Sequence, residues 1–350
     1  MPKITPRVAV LMLGYNDREN LSEALSSVIG QSYTNYDTFF IDNASQDGSI
    51  EFVQKNFPAI KIISHTKNIG YAGAYEKVLA EIFEKDFAAA VLLNSDVRVD
   101  KEWLAELTAS AYADEKIGFA QPKIFLWGEK KNLANTFGNE IHYLGFGFCG
   151  HYEMEDNTTY AADQEITYAS GASLFIKREA YRDIGGMDGD FFAYLEDQDL
   201  VWRGHLFGWN AVLSARSIMW HKYIFKNPIR SSWKFHLYER NRLFFILKNY
   251  STKLLLLILP IFVIMEIGMF CNALFKGYFL DKLRAYRDMV RSLPAILRKR
   301  HWIQKNRVVS DRTLLPLFRS RITFKELDSP LLDIANFFFN IYYQFIKLTL

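Results

Sequence analysis

Ala88-Ala89-Ala90-Val91-Leu92-Leu93-Asn94-Ser95-Asp96-Val97 is the stretch from which the rest of the chain can be read. An apolar run that stops abruptly at three small polar residues has the pattern of a parallel strand buried on both faces, its carboxyl end opening into a cleft. Ligands of open α/β sheets sit at that edge. A carboxylate there can hold a hard divalent cation together with the oxygens of a bound diphosphate. Asp96 is therefore a candidate metal residue; the alternative is a cap for a helix starting near Asp100.

Upstream, strand and helix patterns alternate. Val8–Leu13 is apolar and ends in Gly14-Tyr15-Asn16-Asp17, after which Leu21, Ala24, Leu25, Val28 and Ile29 recur at helical spacing up to Gly30. Thr38–Ile41 runs into the polar turn Asp42–Ser49, a helix with Ile50 and Val53 follows, and Lys61–Ser64 reads as a third strand. Three such alternations before residue 97 predict a doubly wound, mostly parallel α/β sheet. The polar residues gather at strand ends: Tyr15 and Asn16, then Asp42, then Lys67, Asn68 and Gly70, then Ser95 and Asp96. In a parallel sheet these clusters share one edge. An aromatic ring to stack on a base, a carboxylate to accept a base N–H, a cation for phosphate and a metal ligand together describe a nucleoside-diphosphate site. Singly, each has a plainer use, since Asp42 opens a turn and Asn68 can take left-handed geometry.

The familiar phosphate fingerprints are missing. No Walker A sequence occurs, and the one formal G-x-G-x-x-G, Gly145–Gly150, leads into a segment without helical periodicity, so it reads as a bent strand. Further on, Thr167–Ile176 is a strand with a small-residue gap, Lys177–Ile184 a short helix broken by Gly185-Gly186, and Glu196-Asp197-Gln198-Asp199 an acidic cluster. Carboxylates so close are costly unless water, a cation or a reaction uses them. Asp197, next to Glu196, can act as a general base towards a hydroxyl; the alternative is an acidic first turn favoured by the helix dipole.

In their order, Gly14-Tyr15-Asn16, Asp42–Ser49, Asn68–Gly73, Leu93-Asn94-Ser95-Asp96, Ser170-Gly171-Ala172, Gly185–Asp188 and Glu196–Leu200 resemble the inverting family 2 glycosyltransferases of GT-A fold. With Asn-Ser-Asp in place of a full D-x-D, and Tyr238-Glu239-Arg240-Asn241-Arg242 downstream, the chain is most similar to rhamnosyltransferase-like enzymes of polysaccharide assembly. The resemblance covers about residues 7 to 250. It implies a GT-A sheet in residues 1–250, Asp42 and Tyr15 at the base, Asn68 in the nucleotide pocket, and Mg²⁺ or Mn²⁺ on Asp96 with His221 closing over it. It also implies Asp197 as base beside Glu196, and a loop at the acceptor or diphosphate carrying Asp199, Arg240 and Asn241. The implied partners are a nucleoside-diphosphate sugar and a glycan or lipid-linked acceptor. Asn94 departs from the usual carboxylate pair. A membrane-bound scaffold that keeps the fold without chemistry is the alternative, but it predicts loss of Asp42, Asp96 or Asp197, and all three are present.

Of 350 residues half are hydrophobic and 16% aromatic, enough for a sizeable core, and 42 basic against 39 acidic residues leave a formal charge of only +3. No nucleic-acid motif accompanies the basic residues. Two cysteines make no disulfide framework, and the first apolar run, broken at Gly14, is no signal peptide, which points to a cytosolic first domain. Composition changes after Tyr250, and residues 251–350 read as a helical, hydrophobic and basic membrane-associating region. Leu254–Phe275 is long enough to span a bilayer. However, Glu266 near its middle costs roughly 2.5–3.5 kcal/mol there, and basic residues flank both ends. A re-entrant or in-plane helix on the cytoplasmic leaflet of the cell membrane is expected, a soluble core helix being the alternative. In Leu331–Ile346 polar residues recur at 333, 336, 340 and 344, one narrow stripe opposite a wide apolar face, suited to a second anchor or a homodimer surface.

Overall fold

A computed structural model describes residues 5–156, 158–223, 232–324 and 329–350. The chain forms two compact units: the first takes Met1–Asn139, Cys149–Gly204 and Trp209–Tyr223, the second Glu140–Phe148, His205–Gly208 and Ile224–Leu350.

The first unit is built on the expected alternation. β1 (Val8–Gly14), α1 (Arg18–Ile29), β2 (Tyr36–Asp42), α2 (Ser49–Asn56), β3 (Lys61–Ser64), α3 (Gly70–Phe83) and β4 (Ala89–Asn94) follow one another in the chain. β1 lies between β2 and β4 with all three parallel, and β3 extends the sheet beyond β2. The apolar runs predicted for these strands are fully buried from Val8 to Met12 and from Ala89 to Leu93, as a sheet covered on both faces requires. The 88–97 stretch is not one strand. It turns at Ser95-Asp96 into a separate short strand, β5 (Val97–Val99), and the next helix, α4 (Trp103–Ala111), begins only after Glu102, so Asp96 caps nothing.

Beyond β4 the sheet becomes mixed. β6 (Ile117–Leu126) and β7 (Ala134–Thr136) pair antiparallel, and the strands that come next in the chain, β8 (Asn139–His142) and β9 (Gly147–Cys149), belong to a separate three-stranded sheet. β10 (Gln164–Glu165), β11 (Ser173–Lys177), the helices α5 (Arg178–Asp183) and α6 (Glu196–Leu206), and β12 (Asn210–His221) complete the unit. β11 enters antiparallel between β4 and β6, while β12 runs parallel to β6 and antiparallel to β5.

The second unit is helical: α7 (Ser232–Asn249), α8 (Thr252–Lys276), α9 (Phe279–Asn306), α10 (Asp311–Leu314) and, after the two-residue strand β13 (Phe318–Arg319), α11 (Pro330–Thr349). It begins before the composition change at Tyr250 because α7 packs along α9. β8, β9 and β13 form its small sheet. Gly145 of the formal G-x-G-x-x-G sits in the β8–β9 turn with φ +85°, where a Cβ would lie 2.7 Å from the Ile246 side chain. That glycine serves a close packing contact.

α8 is the one helix among the described residues long and apolar enough to cross a membrane, and only 28% of its apolar window is buried. Glu266 is not stranded in apolar surroundings. It pairs with Arg242 of α7 and, at 2.9 Å, with Lys282 of α9, and accepts the Tyr286 hydroxyl at 2.5 Å; Glu239 closes the group on Lys282 at 2.7 Å. Burial acts to raise the Glu266 carboxyl, but Arg242 and Lys282 outweigh it and hold it down to about 2. In α11 two members of the polar stripe, Asn336 and Asn340, turn inward, while Asp333 and Gln344 are exposed. Asn336 bonds both backbone groups of Ile322 and Asn340 accepts the Ser320 hydroxyl, while Leu331, Ile334, Phe337, Phe338, Ile341, Phe345 and Leu348 are exposed. The wide apolar face therefore points outward, together with Leu256, Leu259, Val263, Ile264 and Ile267 of α8.

Removing one member of a buried ionic group leaves its partners uncompensated. Glu266→Ala is expected to cost about 3–5 kcal/mol in urea unfolding of the full chain, and a loss under about 1 kcal/mol would show that Arg242 and Lys282 find other counter-charges.

Candidate active site

Strand register brings the predicted polar clusters level. Gly14 pairs with Asp42, Leu13 with Asn94, and Asp42 with Ser64, so the carboxyl ends of β1, β2, β3 and β4 share one rim. The loops beyond it are tied by side chains. Asn16, at φ +56°, accepts the Gln46 amide at 2.8 Å, and its own N–H donates to Ser45 Oγ at 3.0 Å. Asp42 is buried, and both its oxygens face the turn, Oδ2 accepting the Ala44 and Ser45 amides at 3.1 Å. Asn68 Oδ1 accepts the Gly70 amide and Nδ2 of Asn43. Gly70, at φ +78°, has a position where a Cβ would meet the Phe192 carbonyl at 2.4 Å, so its place in the rim depends on lacking a side chain. Tyr15 is 46% exposed and Lys67 lies on the surface, both accessible to a ligand.

Asp96 and His221 meet by construction of the sheet. β12 ends opposite β5 with His221 across from Val97, and the Lys222 amide donates to the Asp96 carbonyl at 2.9 Å. His221 Nε2 lies 3.2 Å from Asp96 Oδ1 and 3.5 Å from Asn94 Nδ2. Burial alone would raise the Asp96 carboxyl, but the hydrogen bond and charge of His221 hold it below the ordinary carboxylate value. Ser95 points elsewhere: it is buried and its hydroxyl donates to Asp17 Oδ2 at 2.8 Å. Burial pushes the Asp17 carboxyl up, and Asp96 adds to this. One carboxylate and one imidazole suit a hard or borderline divalent cation whose remaining positions go to phosphate and water oxygens. Among the described residues no group of three or more His, Cys, Asp or Glu side chains forms an all-protein cage.

Asp197 reaches the same rim through backbone. It lies in the first turn of α6; Oδ2 accepts the Gly171 amide at 2.8 Å and Oδ1 the Gln198 amide at 2.8 Å. The neighbouring Ala172 carbonyl accepts the Asn94 amide at 3.1 Å, continuing the β11–β4 ladder in which Ser173 faces Leu93. Tyr71 donates to the Gly171 carbonyl at 2.5 Å, holding the same residue through its following peptide. Burial pushes both the Asp197 and the Glu196 carboxyls up, and the Asp197 charge raises Glu196 further. Glu196 is buried with Oε2 unpartnered.

Three expectations change. Asp199 is not in a loop but fully buried on α6, paired with Arg203 Nε at 2.9 Å, while Arg203 also bonds the Ile184 and Gly186 carbonyls. Arg240 and Asn241 lie on α7, within the second unit, where the Arg240 guanidinium bonds Asn241 Oδ1 at 2.8 and 3.0 Å and Asn241 is buried. The segment continues as a helix, so no acceptor loop forms there. Sequence reasoning missed Asn43, Asp17, Tyr71 and Asn135. Asn43, Asp17 and Tyr71 stood inside quoted motifs without a role assigned to them, but nothing local marked Asn135.

Comparison with known proteins agrees with this fold. The family described as Glycosyl transferase family 2 matches residues 9–185. An N-acetylglucosaminyl-diphospho-decaprenol L-rhamnosyltransferase of Mycobacterium tuberculosis is 23% identical over 63% of the chain and 77% of its own length. A poly-beta-1,6-N-acetyl-D-glucosamine synthase of Staphylococcus epidermidis is 23% identical over 61% of the chain, which spans about half of that relative (49%). Among solved structures, S. aureus TarS 1–349 in complex with UDP superposes with TM-score 0.54 at 15% identity, covering 98% of this chain and 90% of TarS. GalNAc-T7 with UDP, GalNAc and Mn²⁺ gives 0.57 at 14% identity, covering 72% of this chain and 49% of that one. These likenesses establish the GT-A fold.

The electrostatics of the acidic pair have a measurable sign. The folded state holds Glu196 above its unfolded value, so its contribution to stability is present at low pH and is lost as pH rises through the folded value. Glu196→Gln should flatten that decline in thermal melts followed from pH 4 to 9. A variant with the wild-type pH dependence would mean that Glu196 ionises freely.

Proposed function

The chain belongs to glycosyl transferase family 2, a family of inverting glycosyltransferases, and from that premise we propose how it acts and on what. The donor is a nucleoside-diphosphate sugar held along the β1–β4 rim, with Tyr15 at the base, Asn68 beside the nucleotide, Lys67 near the phosphates, and Asp96 with His221 at the diphosphate. Asp42 and Asn16 keep the base loop in shape through the turn amides they bond. Asp197 takes the proton of an acceptor hydroxyl as that oxygen attacks the anomeric carbon opposite the leaving diphosphate, which inverts the centre. Its raised affinity for a proton suits it to this step. A Mg²⁺ or Mn²⁺ ion on Asp96 and His221 would supply positive charge where the leaving diphosphate gains negative charge. Rhamnose is the favoured sugar and a lipid-linked glycan the favoured acceptor, supported by the mycobacterial relative. The observation that carries this reading is the Asn94–Ala172–Gly171–Asp197 connection, which links the base candidate to the strand that bears Asp96.

The second unit is read as the membrane contact, on the cytoplasmic leaflet. Its occupant is an anionic bilayer surface: the outward faces of α8 and α11 are apolar, and exposed Lys253, Lys276, Arg284, Arg287 and Arg291 belong to the same helices or to α9. Each cation near such a surface contributes about 1 kcal/mol. With Glu266 engaged by Arg242 and Lys282 inside the protein, α8 lies in the plane of the membrane and does not cross it.

Donor hydrolysis across a panel of nucleotide-sugars, with Mg²⁺, Mn²⁺ or EDTA, tests the chemistry. Asp197→Asn is expected to lower turnover by roughly 10²- to 10⁴-fold while keeping donor affinity; turnover within tenfold of wild type would remove Asp197 from the role of base. Co-sedimentation with phosphatidylglycerol vesicles tests the membrane face. Replacing Phe337, Phe338, Ile341 and Phe345 with serine should abolish pelleting, whereas retained pelleting, or a dimer that dissociates instead, would assign that face to something other than lipid.

A further inference from the structure

Asn135 belongs to no motif and stands on β7, outside the rim. It is buried, and its Oδ1 lies 2.8 Å from His221 Nδ1. Its other end, Nδ2, is buried without a partner. A carboxamide kept in so dry a place at the cost of an unpaired N–H is accounted for by the bond it does make. An amide oxygen only accepts, so Nδ1 of His221 carries the hydrogen. The ring is thereby oriented with Nε2 turned to Asp96, 3.2 Å away, and to Asn94 Nδ2, 3.5 Å away.

We infer that Asn135 is a positioning residue for the diphosphate end of the donor site, fixing the rotation of the His221 ring so that Nε2 faces a divalent cation shared with Asp96. The inference rests on the metal-assisted reading of the site. Histidines that bind metals are oriented by the acceptor on their far nitrogen, and loss of that acceptor typically costs ten- to a hundredfold in metal affinity. The demand is greater here because Asn94 replaces a carboxylate, leaving Asp96 and His221 as the protein's two donors. A rotated imidazole would leave Asp96 alone.

Two substitutions separate positioning from packing. Asn135→Leu has the same branched shape with bulkier ends, removes the acceptor and also removes the unpaired N–H; Asn135→Asp keeps an acceptor at the same reach. Mn²⁺ is titrated by electron paramagnetic resonance in the presence of the member of a UDP, GDP, ADP and dTDP panel that wild type binds most tightly, and the ring nitrogens of His221 are followed by ¹⁵N NMR. Asn135→Leu is expected to weaken Mn²⁺ binding ten- to a hundredfold and to lose the Nδ1–H signature, with Asn135→Asp within about threefold of wild type. Asn135→Leu with wild-type Mn²⁺ affinity, or with lowered thermal stability and unchanged affinity, overturns the inference while leaving the metal reading intact. Wild type that retains no Mn²⁺ with any member of the panel overturns both.

Discussion

The antiparallel insertion of β11 against β4 is the constraint on which the site depends. β4 carries Asp96 just beyond its end, and β11 is entered through Ser170-Gly171-Ala172. Because Ser173 faces Leu93, the Ala172 carbonyl takes the Asn94 amide and the Gly171 N–H donates to Asp197. A backbone ladder, with little freedom to slip because one register buries the apolar side chains and the next exposes them, thus sets where a carboxylate a hundred residues away comes to rest. Tyr71 adds a second hold on Gly171 through its carbonyl, and Tyr75, edge-on against Tyr71 with ring centroids 4.6 Å apart, bonds the backbone of Leu11 and Leu93.

The opposite side of the rim is built in the same way from a different strand. β12 pairs with β5, and that pairing alone brings His221 to Asp96. The sharp turn at Ser95-Asp96, which ends β4 and starts β5, therefore does two things: it places Asp96 beside His221 and it creates the edge that β12 pairs with. Ser95 stabilises the turn by donating to Asp17 at the start of α1.

The second unit solves a different problem. An acid in an apolar helix is expensive in lipid and hardly less so in a dry core. Here Arg242, Lys282 and Tyr286, drawn from two other helices, surround Glu266, so three helices are joined at one ionic point. α11 buries only Phe339, Tyr343 and Ile346 of its apolar residues. Its asparagines bond the backbone and a side chain of the segment before it while most of its large aromatic and aliphatic residues remain outside. In water that arrangement is unfavourable by the area it leaves uncovered.

Local pattern determined much of this. The alternation of apolar runs and helical spacings up to Asn94 dictates a parallel sheet, because only strands buried on both faces are apolar throughout, and a parallel sheet places all its loop clusters at one edge. The acidic turn at Glu196 and the apolar character of α8 and α11 were equally legible, since each is a property of consecutive residues. What side chains do once folded was not. Asp42 faces its own loop, Ser95 bonds Asp17, Asp199 is buried against Arg203, and Arg240 and Asn241 belong to a helix. Asn135 and Tyr71 matter only through partners 86 and 100 residues away. Composition and spacing describe a residue's neighbours along the chain; which hydrogen bond or counter-charge a buried polar group finds is decided by strand register and helix packing, which bring together residues that share no local signal.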